Sequence, residues 1–321
     1  MEVRYLTRST SMEVRALLVA EKLKTFVGGL QYVSKAGKEI SIECNADTIV
    51  LRALNDSHSA AAELTFASSF FREYILPHEL IQHQNQSSPL VKCTTLASTF
   101  LSIFRSTKNV ISVEITLEVE GHPTIDETCE ANLIIFRFHC DRMITKTHRI
   151  RLSENQTMRP VFDKEGSPSK IKMRPYHLMT LLQHIYGTDE VCMSCSPTQS
   201  KFESYYTNPI DVKNHVHTET TVDNTEFISY SFKEADDSEI VQLIFCLKEI
   251  KALLSFCVAS ALPELTFYFS RGGSPILLAT ESLDGSTFSA EIVLSTVTTF
   301  ITGPSQGSQE AEYSQKRQRQ E

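Results

Sequence analysis

The cysteine and histidine side chains that could bind a metal do not have the spacing of an established metal site. Cys192 and Cys195 form a single Cys-x-x-Cys pair, and the possible histidine partners are His184, His215 and His217. A structural zinc site usually combines two convergent pairs. The alternative, which we favour, is that both thiols pack as small apolar groups inside a strand.

Glycine and carboxylate patterns give no evidence for catalysis either. Gly28-Gly29 and Gly272-Gly273 are isolated pairs without the spacing of a phosphate-binding loop, so we expect them in helix packing or turns. Acidic residues are densest at 234–239, and charge runs in loops are usually solvated. The chain has no Gly-x-Ser-x-Gly nucleophile motif. The sequence therefore predicts a protein that is not an enzyme and that uses no metal or cofactor.

Basic residues show a clearer pattern, because they cluster on and beside four segments with helical spacing of apolar residues. Lysine and arginine contact phosphates without reading base edges. Four such helices within an acidic protein predict one positive surface for a nucleic-acid backbone; the alternative is a set of ordinary solvated helix faces. The candidate DNA-facing residues are Lys24, Lys35, Arg105, Lys108, Lys172, Arg174, His177, Lys248 and Lys251.

The elements that must position these residues are a few short helices among many strands. Apolar residues recur at helical spacing over 22–35, 96–107, 175–186 and 247–260. Short alternating or apolar runs, separated by Asn, Asp and Ser turn residues, predict well over a dozen strands from residue 39 onward. The chain is therefore predicted to be rich in β-structure.

The same elements indicate an internal duplication. The second helices of the two halves align at an offset of 150 residues, which places Phe100 on Ile250 and Phe104 on Leu254. The motif Met-Glu-Val-Arg occurs at both 1–4 and 12–15, which suggests an added arm. The predicted organisation is an N-terminal extension (1–13), a first domain (14–152), a connector (153–173), a second domain (174–302) and a disordered tail (303–321).

Length and composition fit two globular domains. The chain has 321 residues, of which 41% are hydrophobic and 22% charged, and its formal net charge is -8. This balance excludes a protein that is basic over its whole surface, but it allows a local basic surface. No apolar stretch is long enough for a bilayer, so no membrane partner is expected. Eight scattered cysteines favour a reducing compartment.

Four ordered sequence blocks resemble the Rad-nine subunit of the heterotrimeric checkpoint clamp, the nine-one-one complex. Together they cover roughly residues 14–295. The blocks are LRALNDSHSA (51–60) with FASSFFREY (66–74), FLSIFRS (100–106), KTH (146–148) with VFD (161–163), and FCLKE (245–249) with LLSF (253–256).

The resemblance implies an α+β fold like that of proliferating cell nuclear antigen. Two similar domains would each pack two short inner helices on outer antiparallel sheets. Three different subunits would then close a ring around double-stranded DNA in the nucleus, with a basic bore inside an acidic exterior. The implied partners are two other clamp-like subunits, a clamp loader, and a checkpoint mediator and kinase.

The resemblance also implies where subunits and partner peptides bind. Two edge strands would pair with neighbouring subunits, which protects edges that otherwise aggregate. Their residues are Met143, Lys146, His148 and Ile150 in the first domain and His215, His217 and Glu219 in the second. The connector residues Val161 and Phe162 would lie beside the pocket for short partner peptides.

The tail departs from the family, in which a long phosphorylated tail is usual. Three Ser-Gln dipeptides begin at Ser305, Ser308 and Ser314, and the resemblance implies phosphorylation there by checkpoint kinases. The alternative is an ordinary polar tail rich in Ser and Gln. Two other functions stay open for the whole chain, a 3′-to-5′ exonuclease and a homotrimeric processivity clamp of the replication type.

Overall fold

Strands dominate the computed structural model, which describes residues 12–82, 89–119, 128–153, 160–206, 216–233 and 240–297. Within these ranges the chain forms 18 strands and five α-helices. Many strands alternate buried with more exposed residues, as in Ala60–Ala67, so one face of each sheet packs on the core. None of the described helices has the length and apolar character that a membrane span requires.

The elements divide between two domains. The first contains β1 (Met12–Val19), α1 (Ala20–Ala36), β2 (Glu39–Cys44), β3 (Thr48–Leu54), β4 (Ala60–Ala67), β5 (Glu73–Ile75), α2 (His78–Gln82), β6 (Val91–Leu96), α3 (Ala97–Ile103), β7 (Val110–Val119), β8 (Cys129–Cys140) and β9 (Ile144–Arg151). The second contains β10 (Ser169–Met173), α4 (Pro175–Gln183), β11 (Glu190–Cys195), β12 (Gln199–Tyr205), β13 (Glu219–Asp223), β14 (Ser229–Ser231), β15 (Val241–Cys246), α5 (Leu247–Ala259), β16 (Leu265–Phe269), β17 (Ile276–Glu281) and β18 (Phe288–Leu294).

The two domains repeat one strand order. In the first domain the hydrogen-bonded ladders run β4-β3-β2-β6 and β5-β1-β7-β8-β9. In the second they run β13-β12-β11-β15 and β14-β10-β16-β17-β18. Each strand of the first domain thus corresponds to the strand nine places later in the second. The predicted α+β clamp fold with two similar domains is confirmed.

One strand pair, which we call the seam, joins the domains. β18 of the second domain pairs antiparallel with β4 of the first, from Phe288 opposite Phe66 to Leu294 opposite Ala60. At the other end of each repeat, β9 pairs only with β8 and β13 only with β12 among the described strands. We call β9 and β13 the free edges, because they are the unpaired counterparts of β18 and β4; β5, β14 and β15 also end a ladder of the described sheets.

Four helices form a row on the core side of the sheets. α3 packs against α1, α1 against α5, and α5 against α4. At the domain junction the ring of Tyr32 stacks on Phe256 with centroids 5.9 Å apart, and the Tyr32 hydroxyl donates to the backbone oxygen of Glu291 at 2.5 Å. A Cβ at Gly29 would overlap the side chain of Leu64, so this glycine lets α1 approach β4 closely.

Three element boundaries differ from the predicted ones. Met12 already pairs with Val119 in the β1–β7 ladder, so residues 12 and 13 belong to β1 rather than to the predicted N-terminal extension. β10 takes residues 169–173 out of the predicted connector, because it pairs with β14 and β16. α3 ends at Ile103 rather than at residue 107. The predicted tail lies outside the described residues.

Candidate DNA-facing surface and subunit edges

Helix α1 presents one stripe of side chains away from the sheets. Lys24, Gln31 and Lys35 are exposed, whereas Phe26 and Leu30 are buried against the core. Residues three, four and seven positions apart lie on the same face of a helix. Both lysines predicted on this helix therefore share one exposed face.

Helix α5 has the same division into faces. Lys248 and Lys251 are exposed, whereas Glu249 between them is only 5% exposed. Glu249 lies in the first turn of α5, where the positive end of the helix dipole stabilises a carboxylate. The acidic side chain is thus withdrawn from the exposed face, and the two lysines dominate the charge there.

Lys251 also ties two helices of the row together. Its ammonium donates to the backbone oxygen of Ile185, just after α4, at 3.1 Å. Partial burial lowers the pKa of Lys251, because the neutral amine loses less hydration than the ammonium. Lys251 therefore lies in the helix row, but one of its ammonium hydrogens bonds within the protein instead of being available to a phosphate.

The remaining helix-associated candidates lie at the ends of α3 and α4. Arg105 and Lys108 are exposed in the segment after α3, and Arg174 is exposed at the N-cap of α4. His177 in α4 is half-buried. The structure thus places all but one of the predicted DNA-facing residues on or beside the helix row.

Lys172 is the exception, and the structure corrects its assignment. It belongs to β10, whose neighbouring residues Ile171 and Met173 point into the core. Successive side chains of a strand point to opposite faces, so Lys172 lies on the outer face of the sheet. There its ammonium lies 2.5 Å from Glu264 Oε2, and this hydrogen bond raises the pKa of Lys172. The prediction that Lys172 faces DNA is therefore wrong.

The first free edge, β9, is almost entirely exposed. Seven of its eight residues are exposed, including Lys146 and His148, and only Ile150 is half-buried. The His148 ring stands edge-on to Phe138 with centroids 5.5 Å apart. Met143 precedes the strand in a turn, is 99% exposed and has a left-handed φ of 59°. All four predicted interface residues of the first domain thus lie on or beside this open edge.

The second free edge, β13, carries an acidic group. Glu219 is exposed, and Lys201 Nζ lies 3.5 Å from its Oε2 and 3.0 Å from Glu203 Oε2. The hydrogen bond to Glu203 is the main reason why the pKa of Lys201 is raised. His217 precedes the strand, with Nδ1 3.3 Å from Ser204 Oγ. His215 lies outside the described residues.

The described residues give little support to a metal site. Glu203, His217 and Glu219 place potential ligand atoms within 4.8 Å of one another, but a cation there would have to displace the Lys201 ammonium. Cys192 and Cys195 are three residues apart in β11, so their side chains point to opposite faces. Burial raises the thiol pKa to about 11 for Cys192 and about 12 for Cys195, which disfavours the thiolate that binds metals.

The connector covers a small cavity beside the seam. Phe162 and Pro160 line this cavity of about 100 Å³ together with Arg52, Ala61 and Val293. Val161 is 96% exposed and does not line it. The two connector residues predicted at a peptide pocket therefore differ: Phe162 lines the cavity and Val161 points to solvent.

Charge fixes the connector to the seam. Lys164 forms an ion pair with Glu291 of β18. One residue earlier, Asp163 Oδ1 accepts the backbone N–H groups of Glu165 at 3.1 Å and Gly166 at 3.0 Å. These bonds hold the connector in a tight turn over the strand pair that joins the domains.

Three comparisons place this architecture among known proteins. The sequence model of the Rad9 family matches residues 26–297. The chain belongs to the Rad9 family. That match includes all four helices of the row except the start of α1.

Curated relatives agree with the Rad9 assignment. "DNA repair protein rad9" of Schizosaccharomyces octosporus is 24% identical over 295 residues, and the match covers 83% of this chain and 65% of that protein. The protein of the same name from Schizosaccharomyces pombe is 25% identical over 288 residues, covering 83% and 66%. "Cell cycle checkpoint control protein Rad9" of Drosophila melanogaster is 23% identical over 265 residues, covering 81% and 52%. The chain thus spans about half to two thirds of the length of these relatives.

Solved structures show the same fold. PCNA from Thermococcus kodakaraensis superposes with a TM-score of 0.61 at 11% identity, covering 88% of this chain and 99% of that one. Proliferating Cellular Nuclear Antigen from Entamoeba histolytica gives a TM-score of 0.61 at 12% identity, covering 89% and 99%. The chain therefore has the fold of these two proteins.

One charged group of this chain was not predicted from its residues. Arg52 of β3 forms ion pairs with Glu43 of β2 and with Glu63 of β4, the latter at 2.7 Å. Arg52 is nine residues from Glu43 and eleven from Glu63, and the three meet through the β2–β3 and β3–β4 ladders, so the pairing depends on strand register. The predicted phosphorylation residues Ser305, Ser308 and Ser314 lie outside the described residues.

Proposed function

We propose that this chain is a subunit of a sliding clamp that encircles double-stranded DNA in the nucleus at sites of damage or stalled replication. Two other clamp-like chains complete the ring, and a clamp loader places it on DNA. The ring then serves as a platform for checkpoint kinase signalling and repair. The names of the curated relatives, a DNA repair protein and a checkpoint control protein, support this assignment.

The observation that carries the proposal is the basic face of the helix row. Lys24 and Lys35 on α1 and Lys248 and Lys251 on α5 are exposed, and α1 packs directly against α5. The net charge of the whole chain is -8, so this face differs in sign from the protein as a whole. A positive face built from flexible side chains binds phosphates without base specificity, which a ring that slides along DNA requires.

The platform role rests on the connector. Phe162 lines a cavity at the seam while Val161 is exposed on the surface, so the connector offers a partner peptide one apolar side chain in the cavity and one outside it. Phosphorylation of Ser305, Ser308 and Ser314 remains part of the proposal as a recruitment step for a checkpoint mediator.

We assign no catalytic step to the chain. The Glu203, His217 and Glu219 group already holds the Lys201 ammonium between two of its carboxylates, which supports a binding protein over an exonuclease. Incubation of the purified protein with 3′-labelled duplex and Mg²⁺ should leave the DNA intact. Degradation that is abolished in Glu203→Gln would favour the exonuclease instead.

Titration of duplex DNA with the purified complex at several salt concentrations tests the basic face. The triple reversal Lys24→Glu, Lys35→Glu and Lys248→Glu should weaken binding. It should also make the negative slope of log K against log salt concentration shallower by about 0.9 for each phosphate that the variant no longer neutralises. The matched control is Lys170→Glu, because Lys170 is exposed on the outer face of β10. Unchanged binding by the triple variant, or an equally weakened control, would contradict the assignment.

A further inference from the structure

The seam provides an internal template for the way in which free clamp edges pair. At its centre Glu63 of β4 lies directly opposite Glu291 of β18. Like charges directly opposite each other destabilise a strand pair. Here each carboxylate has its own cation, Arg52 for Glu63 and Lys164 for Glu291.

The ladders show which residue of β13 takes the place of Glu63. The N-cap residues of α3 and α5, Leu96 and Cys246, pair with the first residues of β2 and β11. From these matched starting points the β2–β3–β4 ladder and the β11–β12–β13 ladder run in step. Counting residues along both ladders, from these starting points to β4 and to β13, places Glu219 at the position of Glu63.

The ladders also show which residue of β9 takes the place of Glu291. The buried residues Thr116 of β7 and Thr266 of β16 are 150 positions apart, as are the N-caps of the two preceding helices. Across the ladders Thr116 leads through β8 to Arg149, and Thr266 leads through β17 to Glu291. Arg149 therefore occupies the position of Glu291, on the outer face of the sheet.

The two free edges thus have opposite charge at equivalent positions. β9, with the sequence ITKTHRIR, has four basic residues counting His148 and no acidic one. β13, with the sequence ETTVD, has acidic residues at both ends and no basic one. In the seam both positions are glutamates, so the charge difference distinguishes β9 and β13 from the strand pair that the chain forms within itself.

We propose that these charges select the neighbours in the ring, an inference that rests on the proposed clamp function. The β13 edge takes the β9-type strand of a different clamp-fold chain, in the register of the seam, with a basic residue opposite Glu219. The β9 edge takes a β13-type strand with an acidic residue opposite Arg149. A second copy of this chain would satisfy Glu219, but the same register would place Arg151 opposite His217, two basic groups.

Affinity capture of the tagged full chain from its own cells, followed by mass spectrometry, tests the proposal. The wild type should recover two other clamp-fold chains. Glu219→Arg should reduce recovery of one of them by about tenfold or more, and Arg149→Glu should reduce recovery of the other, since like charges at an interface cost several kcal/mol. The matched control is Glu73→Arg on β5, an exposed strand residue away from both edges.

Reversal of the facing charge in the captured neighbour should then restore binding to Glu219→Arg. Thermal melting of each variant separates a disrupted interface from a disrupted fold. Two results would overturn the charge assignment and leave the clamp function intact. In the first, both variants recover both neighbours. In the second, either variant loses both neighbours although its melting curve is normal. Recovery of only a second copy of the chain would replace the proposed neighbours with self-pairing. Failure of the wild type to recover any clamp-fold chain would overturn the clamp function itself.

Discussion

The closed seam and the open β13 edge use charge in different ways. In the first domain Arg52 is 14% exposed and pairs with the 6% exposed Glu43 and with Glu63. In the second domain, Lys201 of β12 is 33% exposed and pairs with Glu203 and with the 55% exposed Glu219. The covered group links three strands of the first domain beside the seam. In the open group the Glu219 carboxylate is exposed to solvent, where the strand of a neighbouring subunit can contact it.

The largest expected effect is on stability at the seam. Arg52→Met should lower the free energy of unfolding by about 3 kcal/mol, because it leaves Glu43 buried without its guanidinium. Lys201→Met should change that free energy by less than about 1 kcal/mol, since exposed ion pairs contribute little. Urea unfolding of both variants measures the difference, and equal effects would abolish the distinction between the two regions.

A smaller effect is expected where the connector meets the seam. Lys164→Ala removes the ion pair with Glu291, which should cost about 0.5 kcal/mol and speed amide hydrogen exchange at Glu165 and Gly166. Lys38→Ala, which breaks an exposed pair with Asp56, serves as the control. If exchange in the connector is the same in both variants, Lys164 does not hold the connector.

The smallest expected effect concerns pH at the β13 edge. The backbone N–H of Thr225 is the main cause that lowers the pKa of Asp223 below its ordinary value of 3.8, and the Thr225 hydroxyl adds to it. Because the pKa in the folded state is the lower one, the stabilisation is present above pH 3.8 and is lost as the pH falls through the folded-state pKa. The stability difference between wild type and Asp223→Asn in urea unfolding should therefore be constant from pH 5 to 7 and shrink below pH 4. A difference that grows on acidification would contradict this.

Sequence periodicity predicted the four helices of the row and the duplication because both follow from local apolar spacing. The fold class and the family resemblance are confirmed. The DNA-facing, interface and connector residues stay predictions, and Lys172 was wrong. It precedes a predicted helix, but the ladder with β16 makes it a strand residue on the outer face.

Other features of the site depend on strand pairing that no local pattern reveals. The N-terminal boundary was wrong because the repeated Met-Glu-Val-Arg suggested an arm, whereas pairing with β7 recruits Met12 into β1. The opposite signs of Arg149 and Glu219 are visible in the sequence. Their equivalence to Glu291 and Glu63 follows only from counting across the ladders.

The contact of Tyr32 with the far domain has a consequence for how such chains can be divided. Its ring stacks on Phe256 and its hydroxyl binds the Glu291 carbonyl, so α1 belongs structurally to both halves. After cleavage within the connector, the two fragments would therefore stay associated through these contacts rather than dissociate. A chimera that exchanges one half between related chains would have to carry the matching surface of α1 with it.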